Sequence, residues 1–267
     1  MRICLCTISY REKLLDVALD AAQAIGFGAV ELWGREPHVS ESYDESRVRG
    51  VRQMAEERGL SLPVFGSYLV FGRTQNRDDS VTLADALHTA HGLRTPIMRV
   101  WASDVGSHAA TENVWQAAVA EIQEACDRAA KMGVLLAAEM HDDTLADTGP
   151  SARRLVEEVD RANFRLNFQV GNLGVEDPLD RLLAVLPHVV HVHCQNFRVD
   201  GTANPGKETR ANLSDGMVDY VPLVRRLGEA GYPGYLAVEF AADEGEGKED
   251  SLRRDLLFLR SLVGPSG

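Results

Sequence analysis

Residues 133–141 read GVLLAAEMH. Positions 134–138 form an unbroken apolar run between a glycine and a polar end, the pattern of a strand covered on both faces, as parallel sheets demand. Glu139 and His141 follow at its C-terminal end. Period-2 alternation turns them to the same side, so a carboxylate and an imidazole are presented together.

Outward from this stretch the same unit recurs. Before it, 111–132 is the longest predicted helix, with Thr111 as N-cap and Val114, Ala118, Ile122 and Cys126 repeating at i+4 along one face. Further strands are predicted at 2–8, 29–32, 60–65, 97–101, 164–169, 189–193 and 235–240. Helices are expected at 14–25, 44–58, a segment ending near 90, 151–159, 179–185, 218–230 and 251–262. Loops are expected at 66–78 and after 193, the latter holding Asn204, Pro205, Gly206, Lys207 and Arg210. AIGFGAVEL, KMGVLLAAE and EAGYPGYLAVE each pass from a helix end through glycine to a strand ending in glutamate, which supports a repeating unit. Eight strand and helix pairs with right-handed crossovers close most simply into an α/β fold, the (β/α)8 TIM barrel, as one domain over residues 1–267. A doubly wound open sheet is the alternative, and it lacks a G-x-G-x-x-G after the first strand.

Composition excludes some partners. A formal charge of -12 repels phosphate backbones, and no basic run offsets it, so nucleic acid is not expected. No apolar run approaches the roughly 20 residues that cross a bilayer, and no leader pattern opens the chain, so a cytoplasmic protein without a membrane partner is expected. Cys4, Cys6, Cys126 and Cys194 have no C-x-x-C spacing and read as free thiols.

In a TIM barrel the strand C-termini share one mouth. Glu139 and His141, then Gln169 with Asn172, then His191 and His193 with Asn196, and finally Glu239 would meet there. Carboxylate oxygens beside an imidazole nitrogen suit a divalent metal ion such as Mn, Mg, Co or Zn. Trp33 and Trp101 each follow a strand and could stack on a sugar face, with barrel packing as the rival explanation. Lys207 and Arg210 could hold a phosphate or carboxylate, or simply be solvated. Glu31 ends its strand as Glu139 does, but has no obvious partner, so an ion pair in the barrel wall is the default. His191 lies deeper than His193 and is expected in the core or behind the site.

The segments LLAAEMH, RLNFQVGN, HVHCQN and above all MVDYVPLVRRLGEAGYPGYLAVEF resemble the xylose isomerase-like TIM barrels, the sugar phosphate isomerase/epimerase group. Gly216, Asp219, Leu227, Gly231, Tyr232, Gly234 and Glu239 fall on the family's run. The resemblance implies a metal held by Glu139, Gln169, His193 and Glu239, with Glu139 and Glu239 also moving protons. It implies a small-molecule carbohydrate substrate, with His141, Asn172, Trp101 and Arg210 as substrate-binding candidates, and a homo-oligomer as one form of assembly. Two positions depart from the family pattern, Gln169 and Asn196, where aspartate is usual. Gln169 still offers a carbonyl oxygen but no charge.

The activity implied is a metal-dependent isomerase or epimerase of a small keto sugar, acting through an enediolate. The alternatives are a lyase, dehydratase or hydrolase on a keto-sugar or glycoside at the same site, or a non-catalytic accessory subunit. An apurinic endonuclease shares the barrel, but needs additional histidines that GSYLVFG, after the third strand, does not supply.

Overall fold

The computed structural model describes residues 1–40, 42–74, 81–171, 175–200, 207–242 and 247–264. Strands β1 (Arg2–Cys6), β2 (Ala29–Trp33), β3 (Ser61–Phe71), β4 (Ile97–Ala102), β5 (Leu135–Glu139), β6 (Phe164–Gln169) and β7 (Val189–Cys194) are followed by the short pair β8 (Asn196–Asp200) and β9 (Lys207–Ala211), and then by β10 (Tyr235–Val238). Helices α1 (Leu15–Ile25), α2 (Glu45–Glu57), α3 (Leu83–Leu93), α4 (Glu112–Ala130), α5 (Gly149–Val159), α6 (Pro178–Val185), α7 (Tyr220–Glu229) and α8 (Lys248–Val263) alternate with the barrel strands. All the barrel pairings are parallel, and β10 closes the barrel against β1. The expected (β/α)8 TIM barrel is therefore the fold.

Local chemistry accounts for these elements. In β5 the run 136–139 is buried throughout, because the barrel interior covers one face and helices cover the other. Helix α4 buries Trp115, Ala118, Val119, Ile122, Ala125, Cys126 and Ala129, a stripe at helical spacing, and Thr111 caps it by accepting from the Val114 N–H. Gly133, at φ +69°, then makes the left-handed turn from α4 into β5 at little cost.

The structure departs from the sequence reading at the barrel mouth. The first strand ends at Cys6, not at residue 8, and continues as a 3-10 turn over Thr7–Tyr10. Thr7 Oγ1 there accepts from the Trp33 N–H at 2.9 Å, which ties the turn to β2. The third strand does not stop at residue 65 but runs through a register irregularity between Gly66 and Val70 to Phe71, so Tyr68 belongs to a strand and not to a loop. After β7, residues expected in a loop form the antiparallel hairpin β8–β9, with Phe197 opposite Arg210. Asn204, Pro205 and Gly206 lie outside the described residues, as does the side chain of Lys207. Among the described residues no helix is long and apolar enough to cross a membrane.

Candidate active site

The strand ends surround a cavity of about 400 Å³ at the C-terminal mouth. Its centre is His193, on β7. Register places Gln169 of β6 and Ala237 of β10 beside His193, so Gln169 and Glu239 approach it from adjacent strands. The imidazole Nδ1 lies 3.0 Å from Gln169 Oε1, 3.4 Å from Glu139 Oε1 and 3.6 Å from Glu239 Oε1. These four side chains are all buried. Among them, Glu139 Oε2 and Glu239 Oε2 have no hydrogen-bond partner.

On the other side of the ring, His193 Nε2 donates to Glu31, at 2.9 and 3.0 Å from its two carboxylate oxygens. His191 Nε2 donates to the same carboxylate at 2.7 Å. A carboxylate can only accept, so it fixes the proton on Nε2 of each ring. The expectation for Glu31 is thus corrected. Its ion pair is formed inside the barrel and not in the wall, because alternation along β2 sends Val30 and Leu32 outward to the helices and Glu31 inward, where His191 and His193 meet it. His191 is fully buried behind the site, as expected.

The charges follow from this packing. Burial alone would raise Glu31, but His193 and His191 together hold it well below the usual carboxylate range. Burial would likewise raise Glu139, yet the Arg99 guanidinium and His193 hold it at about 2. Glu239 is raised by burial, with His193 opposing and Glu139 adding to the rise. Burial works to lower His193, but the surrounding carboxylates carry it well above the ordinary histidine value.

Arg99 escaped the sequence reading. It lies on β4, 4% exposed, with Nε 3.2 Å from Glu139 Oε2. The pair lacks hydrogen-bond alignment, so Nε and Nη1 have no partner. Space for it comes from Gly66, where a Cβ would stand 3.2 Å from both Arg99 Nη2 and Glu31 Oε1. A charged residue in the middle of the apolar segment IMRVWA was the available signal, since such a residue is rarely buried without a partner or a function.

One wall of the cavity is aromatic. Trp33 Nε1 donates to Tyr68 Oη at 2.7 Å, Tyr68 stacks on Trp101 at 6.1 Å, and Trp101 meets the His141 ring at 4.6 Å. Trp101 Nε1 is buried and has no hydrogen-bond partner. His141 lines the cavity beside Glu139, although β5 ends at Glu139 and the chain bends there, with the His141 N–H donating to the Glu139 carbonyl at 3.0 Å. Arg210 reaches the cavity from β9. It lies 3.3 Å over the Phe240 ring and donates to Gln195 Oε1 at 2.5 Å. Asn172 lies outside the described residues.

Asn196 is accounted for by the hairpin. Its amide donates to the carbonyls of Leu213 and Val218, both at 2.9 Å, and its oxygen accepts from the N–H groups of Phe197 and Val218. An aspartate could not make the two donations. A Cβ at Gly216 would fall 2.1 Å from the Asn196 side chain, so glycine is required beside it.

A parallel barrel with buried carboxylates and an imidazole at its C-terminal mouth defines the class of enzymes built on strand-end chemistry. A profile described as "Xylose isomerase-like TIM barrel" matches residues 19–262, and the chain belongs to that family. It is 27% identical over 204 residues to the 3-dehydroshikimate dehydratase of Bacillus anthracis, covering 74% of this chain and 72% of that protein. It is 28% identical over 147 residues to the inosose dehydratase of Geobacillus thermodenitrificans (strain NG80-2). That match covers 50% of this chain and 49% of the relative, about half its length. Among solved structures, a D-psicose 3-epimerase crystallised in the presence of D-fructose superposes with a TM-score of 0.75 at 15% identity, over 99% of this chain and 100% of that one. Both of these curated relatives are named as dehydratases, not as isomerases.

Proposed function

We propose that the chain is a lyase, a dehydratase that removes water from a small polyhydroxylated keto compound with the help of a divalent ion. One observation carries the ion in this reading. Glu139, His193 and Glu239 offer ligand atoms that all lie within 4.8 Å of one another, and two carboxylate oxygens there are buried without a hydrogen bond, the Glu139 one facing only the unaligned Arg99 Nε at 3.2 Å. Leaving such atoms unpaired costs about 1–3 kcal/mol each, and more for charged groups, so a cation between them is the economical explanation. Oxygen and imidazole donors fit Mn, Mg, Co or Zn. Glu139, Gln169, His193 and Glu239 would hold the ion, and two glutamate charges would balance a divalent one. When bound, the ion supplies Lewis-acid polarisation of the substrate's carbonyl or hydroxyl oxygens.

Dehydration needs a base for the proton beside the carbonyl and an acid for the departing hydroxyl. The C–H electron pair becomes the enolate, the carbonyl re-forms as the β C–O bond breaks, and the hydroxyl takes a proton and leaves as water. Glu139 ends β5 and Glu239 follows β10, strands to either side of β7, so that one can accept the carbon proton and the other can serve the leaving oxygen. Arg99 helps to keep Glu139 ionised, and it lines the cavity, where its guanidinium would stabilise an oxygen that gains negative charge. Trp101 and His141 offer a flat face and an unpaired indole N–H to the substrate, and Arg210 supplies positive charge at the rim.

The names of the curated relatives favour elimination over the isomerase or epimerase reading, since the match to an epimerase is one of fold. The purified protein with Mn²⁺ should convert 3-dehydroshikimate or an inosose into a product lighter by one water. Solvent deuterium entering recovered substrate with no loss of water would replace the dehydratase with an epimerase.

A further inference from the structure

The ladder between β5 and β6 ends with Glu139 opposite Asn167, so Gln169 lies beyond the last pairing of these two strands. One side chain bridges them past that point. Arg181, on α6, is 2% exposed. Its Nε donates to the Gln169 carbonyl at 3.1 Å, its Nη2 to the Met140 carbonyl at 3.0 Å, and its Nη1 to the Asp147 carbonyl. Glu176 stands 3.4 Å from Nη1 and accepts from the Gly149 N–H at 3.0 Å, which extends the brace to the start of α5.

A second observation shows that the backbone is shaped around this guanidinium. A Cβ at Gly171 would lie 2.7 Å from Nη1 and 2.8 Å from Cζ, so the chain can leave β6 across the Arg181 fork only without a side chain. Taking a guanidinium out of water is costly, and carbonyls at a solvated rim could be satisfied by water instead. What water cannot do is fix two strand ends relative to each other. The planar fork of arginine holds several acceptors in one geometry.

We propose that Arg181 is a positioning residue, which fixes the peptide planes at Met140 and Gln169 so that the Glu139 and Gln169 side chains stand together at the spacing a divalent ion requires. This rests on the reading of those side chains as ion ligands. Supporting groups behind a metal site typically change its affinity about 10–100-fold when lost. The same range is expected for Arg181→Ala and, by displacement of the fork, for Gly171→Ala. Arg181→Lys keeps the charge but not the fork, and should fall between.

The test is titration of chelator-treated protein with Mn²⁺, following free Mn²⁺ by electron paramagnetic resonance, with metal-free thermal melting measured in parallel. Weaker Mn²⁺ binding by Arg181→Lys and Gly171→Ala, with metal-free melting close to the parent and partial recovery of Arg181→Ala by added guanidinium ion, supports the proposal. Mn²⁺ binding within twofold of the parent in both variants overturns it and leaves the ion site standing. A parent protein that binds no Mn²⁺ overturns the ion site and this proposal together.

Discussion

On the Nε2 side of His193, Glu31 accepts from two imidazole rings at 2.7 to 3.0 Å. On the Nδ1 side, Glu139 and Glu239 stand at 3.4 and 3.6 Å and each keeps an oxygen without a hydrogen bond, with Arg99 Nε 3.2 Å from that of Glu139. Both groups contain enough carboxylate and imidazole atoms to hold an ion. Hydrogen bonding separates them, since the carboxylate of the first cluster is closed by imidazole N–H groups, with His191 Nδ1 left unpaired behind it, whereas each carboxylate of the second keeps an oxygen open to something else. The closed cluster also serves the open one. By accepting from Nε2, Glu31 makes Nδ1 the nitrogen turned to the second cluster, where a cation would replace the proton that the surrounding carboxylates favour, the arrangement in which a carboxylate behind a histidine orients it.

The largest effect is expected where the open cluster is cut. Glu139→Gln and Glu239→Gln should each lower kcat on the order of 10²–10⁴-fold, the usual range for losing a positioned acid or base. Steady-state rates at saturating Mn²⁺ check this, and a variant that retains the parent rate would remove that glutamate from the chemistry.

A smaller effect should come from Glu31→Gln. A glutamine can point its NH₂ at one imidazole and force that ring's proton to the other nitrogen, so Mn²⁺ affinity should fall about 10–100-fold while kcat at saturating ion changes less. If calorimetric titration showed unchanged affinity, the closed cluster would be structural packing alone.

Asp255 sharpens the contrast, because its Oδ2 is also buried and unpaired, yet it lines no described cavity. Its Oδ1 accepts from the Leu213 N–H at 2.8 Å, and burial pushes its pKa up to about 6 against that bond. The folded state therefore binds this proton more tightly than the unfolded chain. Its contribution is full below about pH 4 and is lost as pH rises through about 6, a swing of up to roughly 3 kcal/mol. Asp255→Asn should flatten stability over that window and match or exceed the parent at pH 7 in urea denaturation. An unchanged slope would show that Asp255 titrates normally. An unpaired oxygen thus marks a candidate ligand where it faces a cavity with other donors, and strain paid in proton affinity where it does not.

The sequence made the barrel and half of its centre legible. Apolar runs ending in glutamate, each after a helix and a glycine, required a parallel sheet, and alternation along β5 and β7 placed Glu139 and His193 at the mouth. Those inferences rest on periodicity, which is local. Glu31 and Arg99 were hidden because their meaning depends on partners far away in the chain. The Glu31–His191 bond spans 160 residues, and Arg99 finds room only because Gly66 has no side chain. Tyr68 was assigned to a loop because an irregular strand has no clean alternation to detect. Asn196 looked like a lost carboxylate until the hairpin showed four hydrogen bonds that need an amide.

What the residues determined alone was the number and order of the repeating units, since hydrophobic spacing dictates which faces must be buried. Only the tertiary structure decided which buried polar atoms are already paired and which still await a partner. Pairing is a property of distance and direction between strands, and closure of the barrel sets both.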